Sequence, residues 1–201
     1  NQQLSRVNII AALSEQAVSD YNDDHDAGAV AVALVIPPTL ADTEAVVEFN
    51  SEYSSLPPKV YYRLYVYSWL NESYIIARFT AINQTGQAGT FYLGAVTVPR
   101  IAGSYGGETN SYNSTHKTAF CYRAVDTCYA GYRLVSAEPY SYHALDWTVY
   151  SPLDPSSDVA TDSTRYHMTA DAGFDADITA GGDGSILSLN ACAFTLADGD
   201  S

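Results

Sequence analysis

Three histidines, His116, His143 and His167, stand among many Ser and Asp residues, the types needed for a nucleophile, a base and an orienting acid. Such a relay also needs a strained turn to expose its nucleophile, and no G-x-S-x-G elbow occurs. In a chain this rich in Ser and Asp a trio of that kind can be named by chance. Sugar hydrolysis would require two acids facing each other across a cleft, and the seven Glu carry no motif for it. Neither a Walker loop nor a dinucleotide fingerprint is present. The expectation is a protein that is not an enzyme and has no catalytic residues.

Hard cations need several carboxylate and carbonyl oxygens gathered by a turn, so the Asp-rich stretches invite a calcium reading. Asp20, Asn22 and Asp24 match the first ligand positions of an EF-hand loop. The match breaks at His25, where Gly is required, and at Ala31, where Glu is required. The stretch holding Asp171, Asp175, Asp177 and Asp183 is the better metal candidate, with Ca2+ as its ion; the plainer reading is a solvated acidic turn. No other cofactor is expected. Cys121 and Cys128 bracket six residues and are expected to form a disulfide across a turn, while Cys192 reads as a small buried hydrophobe. Sequons begin at Asn71, Asn83 and Asn113, all in expected turns, the setting of glycans on an extracellular protein; Asn is common in turns in any case.

The 17 Tyr are the most distinctive usage. Tyr combines a large stiff ring with a polar tip, which enriches it at protein interfaces, and it also suits a half-buried sheet face. Tyr61, Tyr65, Tyr67, Trp69, Tyr105 and Tyr112 are the expected interface residues.

Positioning these groups falls to β-structure. Residues 60–98 alternate with period two in three runs: Val60, Tyr62, Leu64 and Val66 make an apolar face opposite Tyr61, Arg63, Tyr65 and Tyr67, and runs at 74–82 and 90–98 follow. This predicts an antiparallel meander. An apolar run at 29–36 reads as a strand buried on both faces, and 44–49, 118–122, 129–136, 145–150, 165–169 and 186–193 read as further strands. Residues 4–21 carry apolar positions at three- and four-residue spacing and predict a helix. The expected architecture is all-β, an antiparallel β-sandwich and specifically a single jelly roll of about 8–10 strands. Residues 1–26 would be a helical arm with an acidic loop, and 27–201 the sandwich domain.

The 201 residues carry 23 acidic against nine basic side chains, a net charge of −14, with 16 Asp and only two Lys. Scattered Arg and Lys do not make a phosphate-binding surface, so direct nucleic-acid binding is not expected. No apolar run approaches the length needed to span a bilayer as a helix. The acidic, Lys-poor balance resembles that of a protein kept hydrated in high salt, where its self-repulsion is screened; the plainer reading is an ordinary acidic extracellular protein. Strand count, long loops and an N-terminal arm together resemble the single jelly-roll capsid proteins of viruses, and the charge balance points to a halophilic host. The resemblance is one of architecture and composition, and no residue role follows from it. It implies a structural assembly subunit of a virion or extracellular structure, with copies of itself and other assembly proteins as partners. The alternative is an extracellular ligand-binding sandwich, such as a carbohydrate-binding, adhesin or filament module, with Trp69 and Trp147 as stacking platforms.

Overall fold

The structure, a computed structural model, describes residues 3–20, 28–50, 59–150 and 158–201. The order of elements is β1 (Leu4–Ser14), β2 (Ala17–Asp20), β3 (Gly28–Leu34), β4 (Thr43–Asn50), β5 (Val60–Ser68), β6 (Ile75–Asn83), β7 (Gly89–Pro99), a 3-10 turn (Ile101–Gly103), β8 (Thr109–Asn113), β9 (Thr118–Arg123), β10 (Cys128–Tyr132), β11 (Ser141–Asp146), α1 (Trp147–Tyr150), α2 (Asp158–Ala170), β12 (Gly173–Phe174), β13 (Ile178–Thr179), β14 (Ser185–Asn190) and β15 (Phe194–Leu196). The protein is mostly β and sandwich-like, with several antiparallel sheets. It divides into two compact units, one of Asn1–Val18 with Thr90–Phe194, the other of Ser19–Gly89 with Thr195–Ser201.

The first unit is layered. Its main sheet runs β12-β11-β14-β7-β1-β2, and a smaller sheet runs β10-β9-β8-β13. Tyr142, Ala144, Leu187 and Leu189 of the main sheet pack against Ala119 of the smaller one, with Tyr112, Tyr132 and Ile178 closing the edges. On the opposite face Ile10, Ala12, Val96, Val98 and Ile186 pack under Tyr150 of α1 and Met168 of α2.

The N-terminal helix expected at 4–21 is not there: the segment forms β1 and β2, and the one long helix among the described residues, α2, lies near the C-terminus. The reason is burial. Ile10, Ala11 and Ala12 are each fully buried, and consecutive strand residues point to opposite faces, so β1 is covered on both sides. A strand of that kind loses its period-two signature, and an apolar run alone does not separate it from a helix. The reverse error falls on 165–169, expected as a strand. Arg165, Met168 and Thr169 are its buried members, at helical spacing, and the Thr169 hydroxyl donates back to the Arg165 carbonyl at 2.8 Å. Trp147–Tyr150 is likewise helical where a strand was expected. The acidic cluster at 22–26 and most of the expected linker at 151–158 lie outside the described residues.

The second unit is built on the four-stranded sheet β3-β4-β5-β6. The β5–β6 hairpin follows the expected pattern, with Val60 opposite Asn83 and Ser68 opposite Ile75. The third run departs from the meander: β7 pairs with β1 and β14 in the other sheet. β3 is an edge strand with Val32 71% and Leu34 64% exposed, so it is not the doubly buried strand expected at 29–36.

In the first unit, β14 meets α2 through hydrogen bonds. Asn190 Nδ2 donates to the Met168 carbonyl at 2.8 Å and to Ser141 Oγ at 2.9 Å, and Ser188 Oγ donates to the same Met168 carbonyl at 3.0 Å. That carbonyl is one of the helix-end acceptors with no partner inside the helix. Asn190 fits because its neighbour on β7 is Gly94, where a Cβ would overlap Asn190 Oδ1 and press Thr169 Cγ2 at 3.1 Å. Gly94→Ala should therefore displace Asn190 and lower stability by about 1–3 kcal/mol through overpacking. Urea denaturation followed by circular dichroism checks this, and an unchanged midpoint contradicts it.

Candidate interaction surface

Burial along the second unit's sheet is graded. β6 runs from exposed at Ile75 to buried at Asn83. At the buried end Val60, Tyr62 and Phe49 pack together, with the Phe49 and Tyr62 rings stacked at 4.8 Å. The other end carries large apolar side chains in water: Ile36 at 83%, Leu40 at 68%, Leu70 at 84% and Ile75 at 64%, beside exposed Val32 and Leu34. Contiguous apolar exposure of this sort marks interaction sites more than scattered single residues do.

Two carboxylates shape that tip. Glu44, at the start of β4, accepts backbone N–H bonds from Thr39 at 2.7 Å, from Ala41 at 3.0 Å and from Leu40, so it gathers the β3–β4 loop around itself. Asp42 accepts the N–H of Leu70 at 2.9 Å and donates its own N–H to the Ser68 carbonyl, which ties that loop to the β5–β6 turn. Side chains far apart in sequence thus share one apolar end with its backbone already fixed. The Leu40 N–H contributes most to holding the Glu44 carboxyl below its ordinary value; desolvation opposes it, and the Ala41 and Thr39 N–H groups add to it.

Of the expected interface residues, Tyr67 and Trp69 stand at this end of the sheet, Tyr61 and Tyr65 farther along β5, and Tyr105 and Tyr112 in the first unit. Tyr61, Tyr65 and Tyr67 share a face of β5 with Arg63, and that face is internally paired. Arg63 Nε reaches Glu48 Oε1 at 2.7 Å, Tyr61 also bonds Glu48, and the Arg78 guanidinium sits 4.5 Å over the Tyr65 ring. Tyr67 is buried, and Trp69 packs on Tyr74 at 5.7 Å. Tyr105 is 45% exposed, with its hydroxyl 2.7 Å from Ser5 Oγ. Tyr112 lies between Tyr142 and Phe174, with ring centroids at 5.6 and 4.6 Å. A second aromatic row, Phe120, Tyr122 and Tyr129, runs across β9 and β10 with rings 5.9 and 5.7 Å apart. Gly131, opposite Phe120, leaves that ring its place, since a Cβ there would meet Phe120 Cβ at 2.9 Å.

The remaining candidates separate. Among the described residues no three His, Cys, Asp or Glu gather as metal ligands. Asp177 and Asp183 are exposed, whereas Asp171 and Asp175 bond to histidines: His143 Nδ1 is 3.2 Å from Asp175 Oδ1, and His167 Nδ1 is 3.1 Å from Asp171 Oδ2. His116 lies in the β8–β9 turn, its backbone N–H donating to Asn113 Oδ1 at 2.8 Å. Asn71 is exposed in a turn. Asn83 is buried and serves as a hub: its Nδ2 donates to the carbonyls of Gln87 at 2.8 Å and Leu196 at 3.1 Å, and its Oδ1 accepts from Thr85. Cys121 and Cys128, expected as a disulfide, are both free thiols. The ladder sets Cys121 opposite Ala130 and Cys128 opposite Arg123, so the two are diagonal neighbours and not a facing pair. Cys192, expected to be buried, is exposed.

Burial pushes the Cys121 thiol up to about 12, so it is protonated at neutral pH. Iodoacetamide should label Cys192 in the native protein and Cys121 only after unfolding, because thiolate depletion alone slows Cys121 on the order of a thousandfold against an ordinary exposed thiol; peptide mapping reads this. For Glu44, whose folded value is lowered, the stabilisation is complete above its unfolded value of 4.5 and is lost as pH falls through the folded value. Amide exchange at residues 39–41 should accelerate beyond the intrinsic rate on acidification in the wild type. In Glu44→Gln it should be fast throughout; equal profiles contradict the role given to this carboxylate. No protein-family model matches this chain and no curated protein matches it, so what the surface does has to be argued from its geometry.

Proposed function

We propose that the chain is a non-enzymatic structural assembly subunit, a capsid or virion-surface protein adapted to high salt, whose sandwich is a jelly roll and whose apolar tip meets another copy of itself. The observation that carries this reading is the tip itself, where Ile36, Leu40, Leu70 and Ile75 are exposed while Glu44 and Asp42 fix the backbone beneath them. With the loop backbone already ordered in the free protein, contact there incurs less of the loop-ordering cost that otherwise offsets apolar burial. A net charge of −14 opposes contact between copies in dilute buffer, and molar salt removes that opposition. Salt also strengthens apolar association if the anion is a kosmotrope.

Sedimentation velocity at increasing NaCl tests the proposal. The wild type should pass from monomer to oligomer as salt rises. Leu70→Asp with Ile75→Asp should remain monomeric, since burying each of two aliphatic side chains is worth about 1.5–3 kcal/mol and their loss exceeds a tenfold change in affinity. Both positions are exposed, so the variant keeps its fold. A wild type that stays monomeric at all salt concentrations overturns the reading.

The alternative, an extracellular carbohydrate-binding or adhesin module, is favoured by the aromatic row Phe120, Tyr122 and Tyr129, with Tyr129 66% exposed. Quenching of Tyr fluorescence by an oligosaccharide, abolished in Tyr129→Ala with the protein still monomeric, would select it.

A further inference from the structure

His167 stands between two carboxylates. On the last turn of α2 its Nδ1 lies 3.1 Å from Asp171 Oδ2, and its Nε2 lies 3.3 Å from Glu15 Oε1 in the β1–β2 turn. Glu15 is itself held by α2, since Ser163 Oγ donates to Glu15 Oε2 at 3.3 Å. A neutral imidazole has one N–H and satisfies one of these acceptors; the imidazolium donates to both. His143 on β11 sits between one carboxylate and one backbone carbonyl, with Nδ1 at 3.2 Å from Asp175 Oδ1 and Nε2 at 3.0 Å from the Asp171 carbonyl oxygen. Asp171 joins the two rings, its carboxylate on His167 and its carbonyl on His143, and its N–H also donates to the His167 carbonyl at 3.1 Å. Glu15, His167, Asp171, His143 and Asp175 therefore form one connected chain, in which Asp171 meets His167 through its carboxylate and His143 through its backbone carbonyl. It stitches the β1–β2 turn, the end of α2, the segment after it and β11 together.

We infer that this chain is a proton-dependent latch: with His167 doubly protonated the end of α2 is fastened to the β1–β2 turn, and loss of that proton releases it. The groups facing His167 are Glu15 from the β1–β2 turn, Asp171 after the helix and the Tyr166 ring at 5.5 Å, itself packed on Tyr92 of β7 at 5.9 Å. His143 of β11 reaches it through Asp171. Arg165, the cation nearest in sequence, is turned away toward Tyr150 and Asp162. Asp171 is the main cause of a His167 value raised above the ordinary 6.5; burial opposes it, and Glu15 adds to it. For a raised value the stabilisation is complete below the unfolded value of 6.5 and is lost as pH rises through the folded one. The latch is closed in mildly acidic solution and opens on the alkaline side. What it controls is the seating of α2 over Ile10, Ala12 and Ile186.

Amide hydrogen exchange of the last turn of α2 and of residues 14–17, corrected for intrinsic rates, tests this between mildly acidic and mildly alkaline pH. In the wild type protection should fall about two- to fivefold across that range, the scale of half-exposed ion pairs. His167→Gln should show the low protection at every pH, and Glu15→Gln should reduce the dependence in the β1–β2 turn. His167 and Glu15 side chains are 49% and 46% exposed, so both variants fold, and circular dichroism verifies it. Protection that changes equally in wild type and His167→Gln overturns the latch, as does a His167 ring proton that titrates at or below 6.5.

Discussion

β14 is buried at all six of its positions, and three of them, Ser185, Ser188 and Asn190, are polar. Buried polar groups must be hydrogen-bonded, and this requirement decides what can lie on either side of the strand. Toward the helix, Ser188 and Asn190 demand a carbonyl and find that of Met168, which fixes how far α2 slides along the sheet. Toward the small sheet, Ser185 donates to Glu108 and accepts from Asn110, both fully buried, which fixes β8. The apolar neighbours Leu187 and Leu189 supply burial without direction. Position comes from the polar members, and the closest of them, Asn190, is admitted only because Gly94 has no side chain.

The second unit solves a different problem. Its sheet is polar and internally paired on the Tyr61–Arg63–Tyr65 side, buried at the Val60–Asn83 end, and apolar in water at the other. The Asn83 hub anchors the buried end by taking the carbonyls of Gln87 and Leu196 while its own backbone pairs with Asp200 and Gly199. Glu44 and Asp42 order the exposed end. Glu44 does so from a buried position and Asp42 from an exposed one, and between them they hold the β3–β4 loop in register with the β5–β6 turn.

How much of this was legible depends on whether a residue's partner is near in sequence. The β5–β6 hairpin was readable because alternation and a short turn fix both strands locally. β7 follows the same alternation yet pairs with β1, from Leu4 opposite Pro99 to Ala12 opposite Tyr92, and nothing local distinguishes those outcomes. β1 was misread as helix because full burial erased its period. α2 was missed because its buried face includes Arg165 and Thr169, polar residues whose burial depends on Tyr150 and on the helix backbone. The Tyr residues proposed as contacts were chosen by type, and the structure gives Tyr112 to an aromatic cluster and Tyr67 to the interior. The apolar tip is not legible in the sequence, since Ile36 and Leu40 reach the end that carries Leu70 and Ile75 through the pairing of β3, β4, β5 and β6 and the loop contacts of Glu44 and Asp42. Asn83 shows the limit of motif reading: the same Asn-x-Thr that matches a sequon is the local hydrogen-bonded turn Asn83 Oδ1 to Thr85 N–H.

The acidic composition divides into two populations with opposite responses to salt. Glu44, Asp42, Asp146 and Asp175 each accept backbone N–H groups at about 3 Å, and Asp146 also takes the Thr148 hydroxyl at 2.8 Å. These are short, charge-assisted hydrogen bonds, far shorter than the screening length, which mobile ions weaken little. Asp177 and Asp183, exposed and outside any such contact among those described, contribute chiefly to long-range repulsion, which salt removes. Raising ionic strength therefore weakens long-range repulsion while leaving loop closure intact. On the assembly reading proposed above, the loop-closing carboxylates, more than the net charge, would keep the tip in shape under the salt conditions in which a second copy could cover it.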